Sequence, residues 1–288
     1  MKVGAVYPQI ELKGSVSDLK MIGLAVEAMG LDHLVMYDHV VGAVHEGRSP
    51  KLTGPYTQND PFHDPFVAFS FLAALTTRIE FITGVLILPQ RQTVLVAKQA
   101  ADLDLLSHER LCLGVGIGWN YVEYEALGHD FSTRGKRVIE QIGYLRRLWS
   151  ETGIQWEGRF DRISNGNIVP RPERIIPIYG GGTSDAALRR AAALCDGFIF
   201  AQHNRALASE RPRLMELLKE AGRDESCFGT HSFIMNEQRC GVSVSDAADA
   251  IRRWEDAGGT HASIVTMGKN FVNASQHIDF LAAVAAKI

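Results

Sequence analysis

The chain has 288 residues, of which 46% are hydrophobic and 22% are charged, a balance typical of a soluble globular protein. Its formal net charge is -3 and no block of like charge stands out, so the composition argues against a nucleic-acid-binding surface. No apolar run is long enough to cross a bilayer, and the first residues enter an apolar segment without a charged leader. We therefore expect a cytoplasmic protein that acts away from membranes.

The cysteines are dispersed along the chain and show no C-x-x-C spacing. This arrangement is typical of small core residues in a reducing compartment, and it differs from that of disulfide pairs or zinc ligands. We therefore predict neither a disulfide nor a metal site from Cys112, Cys195, Cys227 and Cys240.

Short apolar runs alternate with helical patterns from end to end. The apolar runs cover residues 2–8, 31–38, 78–88, 110–118, 175–180, 196–202, 227–235 and 261–267. The helical patterns lie near 15–29, 65–77, 92–107, 119–149, 184–194, 204–221, 245–257 and 273–287. Continuously apolar strands separated by helices indicate a covered parallel sheet, and eight such units predict an α/β fold, a (β/α)8 TIM barrel forming one domain over 1–288. An open doubly wound sheet is the alternative, but no linker interrupts the count.

Two segments interrupt the alternation. Residues 40–64 follow the second predicted strand, and loops at that end of a barrel strand carry active sites. Residues 151–174 follow the fourth predicted helix and contain SNGN, which is a turn signal for a short hairpin. The second insertion also holds four arginines, which favour a solvated face or contact with an acidic ligand tail: Arg159, Arg162, Arg171 and Arg174.

Three glycines stand where the fifth predicted strand meets a helix, in IPIYGGGTSDAALRRAA. Glycines let the backbone approach a ligand, and free N–H groups at a helix start bind anions. We predict a phosphate cradle made by Gly181, Gly182 and Thr183, because three glycines exceed what a tight turn needs. Asp185 in the first helical turn would compete with such an anion.

The segment YDHV ends the second predicted strand, so Asp38 and His39 are expected at the carboxyl face of the barrel. Histidine can move a proton near neutral pH, and a neighbouring aspartate can bind a polar ring edge. The alternative is that Asp38 caps a loop and His39 lies on the surface. Further on, Asp64 before Pro65 predicts a helix start, and His63 is expected to be incidental.

Two further segments leave room for a flat ligand. In TGVLILP, a glycine at position 84 inside a buried strand indicates a bulge or a close backbone approach beside Thr83. In GVGIGW, small residues end the fourth predicted strand and Trp119 projects at the rim. Glycine-assisted strand packing is the alternative for both segments.

In combination these motifs resemble the bacterial luciferase-like superfamily, and in particular its branch that uses coenzyme F420, a deazaflavin. The resemblance covers most of the chain and is weak in 40–64, in 151–174 and beyond about 203. It rests on the segments LDHLVMYDH, TGVLILPQRQTVLVAKQAADLDLLS, RLCLGVGIGW, RGKRVIEQIGYLRRLW and YGGGTSDAALRRAA.

The resemblance implies a flavin or deazaflavin at the carboxyl ends of the strands, over a bulge with a non-prolyl cis peptide at Gly84–Val85. His39 and Trp119 are then the expected catalytic residues. In sugar-phosphate dehydrogenases of this branch a glutamate stands where this chain has Trp119, which sets their substrate and acid–base scheme aside. The residues expected to bind the cofactor are Asp38, Thr83, Gly84, Val85, Gly116, Asn120, Gly180, Gly181, Gly182 and Thr183.

The implied reaction is hydride transfer between F420 and a small-molecule substrate, which the apolar rim suggests is organic and uncharged. The first alternative is an FMN-dependent monooxygenase fed by a separate reductase. Two others are a phosphate-binding isomerase or aldolase and a flavin-binding protein without turnover. The family resemblance also implies a homodimer.

Overall fold

The computed structural model describes residues 1–288, and it contains the predicted barrel. Nine strands form one sheet in the order β3-β2-β1-β11-β10-β9-β8-β5-β4, and pairing of β3 with β5 closes it. All the pairings in this sheet are parallel. The strands are β1 (Lys2–Val6), β2 (His33–Met36), β3 (Glu80–Thr83), β4 (Leu86–Ile87), β5 (Leu111–Gly116), β6 (Ile154–Glu157), β7 (Arg162–Gly166), β8 (Ile178–Gly181), β9 (Gly197–Phe200), β10 (Gly229–Ile234) and β11 (His261–Ile264).

Helices pack around the outside of the barrel. They are α1 (Val16–Ala28), α2 (Pro65–Ala73), α3 (Thr93–Leu106), α4 (Tyr121–Ala126), α5 (Arg134–Ser150), α6 (Asp185–Leu194), α7 (His203–Arg205), α8 (Arg211–Glu220), α9 (Val244–Asp256) and α10 (Ala274–Ala285). A π-helical turn at Ala206–Glu210 joins α7 to α8. No helix combines the length and the apolar character that a bilayer crossing needs.

The core has two parts because the barrel strands are buried on both faces. A cluster of 59 buried residues fills the space between the sheet and the helices. A second cluster of nine buried residues fills the barrel interior. This double burial explains the continuously apolar strand segments of the sequence.

The third and fourth predicted elements are divided in the structure. The predicted strand 78–88 splits into β3 and β4 at the cis peptide Gly84–Val85. The predicted helix 119–149 was wrong in its middle, because Gly128 has a φ of 72° and ends the first helical stretch there. Asp64 caps α2 as expected, since its side chain accepts hydrogen bonds from the N–H groups of Phe66 and Val67.

The hairpin expected in 151–174 is present as β6 and β7, but its turn was misplaced. The chain reverses at 158–161, and SNG forms the end of β7 instead. Asn165 adopts a φ of 52° within that strand, where β6 and β7 pair irregularly.

Candidate active site

A cavity of about 400 Å³ opens at the carboxyl ends of the barrel strands. Its walls come from the ends of β2, β4, β5, β8 and β10 and from the loop 40–64. The size and place suit a small organic ligand or cofactor. The predicted site residues that line it are Asp38, His39, Gly84, Val85, Gly116, Trp119, Gly181, Gly182 and Thr183.

Val85 forms a ridge on the floor of this cavity. Its side chain lies between Gly116 and Gly181, where added Cβ atoms would come within 2.5 Å and 2.6 Å of the valine methyl groups. Glycine is needed at both positions because the valine occupies the space that a Cβ would fill. The bulge after β3 therefore presents an apolar ridge flanked by bare backbone, a surface that accepts the face of a flat ring.

Thr83 and Gly180, by contrast, do not line the cavity. The Thr83 hydroxyl is fully buried and donates to the carbonyl of Gly114 at 2.7 Å. A Cβ on Gly180 would meet the Cβ of Ala191 at 2.9 Å, so this glycine lets α6 pack against β8. We therefore assign both residues to the framework beneath the site.

His39 stands at the cavity with one ring nitrogen held and one free. Its Nδ1 lies 3.3 Å from both carboxylate oxygens of Glu123, and its Nε2 makes no hydrogen bond to the protein. The side chain is 11% exposed, whereas that of Glu123 is 2% exposed. A carboxylate at Nδ1 fixes the ring orientation and leaves Nε2 to exchange a proton with a ligand.

Glu123 was missed in the sequence analysis. It lies on α4, four residues after Trp119. Trp119 itself occupies the position at which the sugar-phosphate dehydrogenases of the resembled branch have a glutamate. Its Oε1 also accepts hydrogen bonds from the N–H groups of Val40 and Val41, at 2.7 Å and 3.1 Å. The segment YVEYEA gives no local signal for it, because the burial of Glu123 is seen only in the fold, and acids are rarely buried without a partner.

Asp38 lines the cavity, but its carboxylate is already engaged. Oδ1 accepts from Arg91 Nη2 at 2.6 Å, and Oδ2 accepts from the N–H of Ile87 at 2.9 Å. Burial raises the pKa of Asp38, and the Arg91 guanidinium opposes that rise. The residue thus fixes β4 behind the Val85 ridge, while its expected contact with a cofactor ring stays a prediction.

The expected phosphate cradle has the features of an anion site. Ser184 caps α6 through its side chain, and the N–H groups of Gly182, Thr183 and Ser184 donate no hydrogen bond within the protein. Arg190 reaches the cavity from the next turn of α6. It is half-buried, forms no ion pair, and burial lowers the pKa of its guanidinium.

Asp185 does not compete with an anion there. Its carboxylate accepts hydrogen bonds from Arg189 and Arg213, which hold it on the outer side of α6. None of the four arginines of the second insertion lines the cavity, so Arg190 supplies the positive charge at this end.

Asn120 acts on the loop and not on the cavity. Its Oδ1 accepts from the N–H of Val122 and caps α4, while Nδ2 donates to the carbonyl of Val41 at 3.1 Å. One residue earlier, the ring of Trp119 lines the cavity under Gly54, whose added Cβ would lie 2.2 Å from that ring. Loop 40–64 is thus hydrogen-bonded to the start of α4 and contacts the Trp119 ring through Gly54.

An aromatic wall surrounds His39, and most of it escaped the sequence analysis. The ring centroids of Tyr56, Phe62 and Trp119 lie 5.2, 4.8 and 5.6 Å from that of His39, each edge to face. Tyr56 and Phe62 belong to loop 40–64, whose fold could not be deduced from its composition. Tyr37 stands next to the Asp–His pair and completes this wall.

The closed barrel with a cavity at its carboxyl face defines a class of barrel enzymes. The sequence profile of the luciferase-like monooxygenase family matches residues 4–282. The chain therefore belongs to the luciferase-like monooxygenase family, a family of oxidoreductases.

Two of the proteins similar to this chain are named for different cofactors, one for FMNH2 and one for F420. A protein of Mycobacterium tuberculosis described as uncharacterized is 35% identical over 244 residues, covering 82% of this chain and 80% of that protein. The FMNH2-dependent dimethylsulfone monooxygenase of Pseudomonas fluorescens is 34% identical over 141 residues, covering 48% of this chain and 38% of that enzyme. An F420-dependent secondary alcohol dehydrogenase, in complex with an F420-acetone adduct, superimposes with a TM-score of 0.79 over 99% of both chains at 16% identity. The last likeness shows the fold alone.

Proposed function

We propose that this protein is an F420-dependent oxidoreductase that transfers a hydride between the deazaflavin and a small organic substrate. The observation that carries the proposal is His39, which lines the cavity with Nε2 unbonded to the protein while Glu123 holds its Nδ1. Transfer of a hydride to or from an alcohol or carbonyl carbon requires a proton at the oxygen, and this pair supplies or removes it.

The chain's own residues fit such a cofactor. The Val85 ridge and its flanking glycines would support the ring, and Gly182 to Ser184 with Arg190 would hold the phosphate. When bound, the deazaflavin supplies the hydride chemistry, and the protein supplies position and electrostatics. A half-buried guanidinium without a carboxylate partner is what an anionic group in this cavity would neutralise.

Loop 40–64 keeps water from the reacting atoms. Its Gly54 covers Trp119, and its Tyr56 and Phe62 pack on the His39 ring. Excluding water strengthens the interaction between His39 and Glu123, because charges interact more strongly in a medium of low dielectric constant.

An FMN-dependent monooxygenase is the second candidate, supported by the relative from Pseudomonas fluorescens. It would need reduced flavin from a separate reductase. An isomerase or aldolase finds less support, because the cavity lining includes no lysine and one carboxylate, Asp38, which is committed to Arg91.

Assays with both cofactors test the proposal. Purified protein would be mixed with F420 and a panel of small alcohols, or with reduced F420 and the matching carbonyl compounds, and the deazaflavin absorbance followed. We expect turnover with at least one pair and none with FMN. Substrate-dependent oxygen consumption with reduced FMN, together with no F420 turnover, would overturn it.

A further inference from the structure

One wall of the cavity continues from the aromatic wall around His39 and takes no part in the cofactor floor or in the proton transfer. It lies at the end of β10 and beside β2, and it carries Tyr37, Tyr56, Phe233, Met235 and Arg239. The sequence analysis assigned no role to any of them. Phe233 and Met235 are buried and apolar, so the polar groups on this wall are those of the two tyrosines and Arg239.

Arg239 is held in place by its turn and not by an ion pair. The Asn236 N–H donates to the Cys240 carbonyl at 2.9 Å, and the Arg239 N–H donates to the Asn236 carbonyl at 3.0 Å. Gln202, at the end of β9, donates from Nε2 to the carbonyls of Asn236 and Glu237. Arg239 lines the cavity and is exposed, and its guanidinium makes no hydrogen bond to the protein.

The two tyrosines bring further hydrogen-bond donors to the same wall. Their ring centroids are 6.4 Å apart, both residues line the cavity, and neither hydroxyl makes a hydrogen bond to the protein. Burial raises the pKa of Tyr37 and of Tyr56, and the charge of Arg239 opposes both rises, so the three groups lie within electrostatic reach. Gln9 fixes the backbone of Tyr37 through two hydrogen bonds.

The cavity lining thus has two arginines without a carboxylate partner, Arg190 and Arg239, and each is available to an anionic group of a ligand. The carboxylates of Asp38 and Glu123 are paired with Arg91 and His39 and neutralise neither. The cradle on α6 takes the first anion. The wall with one guanidinium and two hydroxyl donors suits a planar group of single negative charge, because a guanidinium pairs in its plane with both oxygens of a carboxylate.

We infer that Arg239, with the hydroxyls of Tyr37 and Tyr56, binds a carboxylate on the substrate, so that the substrate is a small organic acid. Its carbon body would lie against the aromatic wall around His39. This inference rests on the proposed function and replaces the uncharged substrate expected from the sequence. The same chemistry could serve an anionic tail of the cofactor, and the test separates the two.

The test uses benzoate as the probe and benzamide as its neutral match, by isothermal titration with and without saturating F420. We expect wild-type protein to bind benzoate about tenfold or more tightly than benzamide. Arg239→Gln should abolish that preference while F420 affinity stays within about twofold. Arg239→Lys should restore part of it, because it restores the charge without the planar fork.

Arg190→Gln should show the opposite pattern, a loss of F420 affinity with the benzoate preference kept. The inference fails if wild-type protein shows no benzoate preference, or if Arg239→Gln keeps it. It also fails if Arg239→Gln weakens F420 binding and leaves benzoate binding unchanged, which would assign Arg239 to the cofactor tail. Loss of F420 binding by wild-type protein would refute the proposed function alone, since benzoate titrations without cofactor would still report on Arg239.

Discussion

His39 owes its orientation to one buried carboxylate. Nδ1 faces Glu123 at 3.3 Å, and the same carboxylate accepts the N–H groups of Val40 and Val41, so ring and loop are fixed together. Glu123 touches neither the substrate nor the cofactor in the proposed scheme. It is a positioning residue that holds the His39 ring.

Replacing His39 should therefore remove the proton transfer and leave the cofactor site intact. For His39→Ala we expect a fall in turnover of about 10²- to 10⁴-fold with F420 affinity retained. Glu123→Gln should cause a smaller fall, because the amide still accepts from the loop N–H groups but carries no charge. Steady-state rates and F420 titrations on the same samples check both, and unchanged turnover in His39→Ala would refute its role.

Arg190 offers a second prediction for a single residue. A hydrogen bond to a charged group contributes about 1.5–3 kcal/mol, so Arg190→Gln should raise the F420 dissociation constant about 10- to 100-fold. Arg189→Gln is the matched control, because Arg189 lies next to it, is exposed and pairs with Asp185. Fluorescence titrations of the wild-type protein and the two variants with F420 measure the three dissociation constants. Equal weakening in both variants would refute the role of Arg190.

At the level of elements, α4 fastens loop 40–64 over the cavity. Asn120 donates to the carbonyl of Val41 at 3.1 Å, and the Tyr121 hydroxyl donates to the carbonyl of Pro50 at 2.9 Å. The loop in turn covers Trp119 through Gly54. Its conformation is thus set by a helix that follows it by more than fifty residues in the chain.

Asn120→Ala should loosen this loop. It removes a helix cap and a bond to the loop, and cap losses cost about 0.5–2 kcal/mol. We expect faster trypsin cleavage after Lys51, which is exposed. Ser243→Ala is the control, since Ser243 caps α9 away from the loop. If both variants are cleaved at the same rate, Asn120 does not hold the loop.

The sequence was sufficient to predict the elements that local pattern decides. Continuous apolar runs predicted the barrel strands, and Gly84 marked the bulge at the cis peptide with Val85. It was insufficient where a contact joins distant segments. Glu123 meets His39 across 84 residues of chain, and only the fold brings them together. Arg239 reaches the cavity from a turn that Gln202 of another strand end holds, which no local pattern shows.

Across the whole molecule, a second group of histidines lies on β2, β10 and β11, outside the cavity lining. His33 and His231 each place Nε2 beside the Ser263 hydroxyl, at 2.8 Å and 2.7 Å. The ring centroid of His261 lies 5.8 Å and 5.6 Å from those of the other two. Burial lowers the pKa of all three, and that of His261 falls to about 4.

These histidines should make stability depend on pH. The pKa of these histidines is lower in the folded state than the ordinary value near 6.5 that they have in the unfolded chain. Below about pH 6.5 the unfolded chain therefore binds more protons than the folded one. The stability that is present at neutral pH is lost as the pH falls from about 6.5 toward 4. Each contributes a slope of at most about 1.4 kcal/mol per pH unit. Urea unfolding from pH 7 to 5 should show a shallower slope for His261→Gln than for the exposed control His108→Gln. Equal slopes of the unfolding free energy against pH in the two variants would refute a role for His261 in the pH dependence.

The association state and the extent of the domain belong to the same scale. The homodimer and the single domain over 1–288 stay predictions, and the family match covers residues 4–282. Sedimentation of the purified protein addresses the first of them. A mass of one chain, 31.7 kDa, across the working concentration range would refute the dimer.

The choice of F420 as the cofactor is tested by titrating the purified protein with F420 and FMN side by side and following the quenching of ligand fluorescence. We expect F420 to bind at least about tenfold more tightly than FMN. We also expect Arg190→Gln to weaken F420 binding and Arg189→Gln to leave it unchanged. Tight binding of FMN with weak binding of F420 would contradict the choice of F420 and point to the monooxygenase.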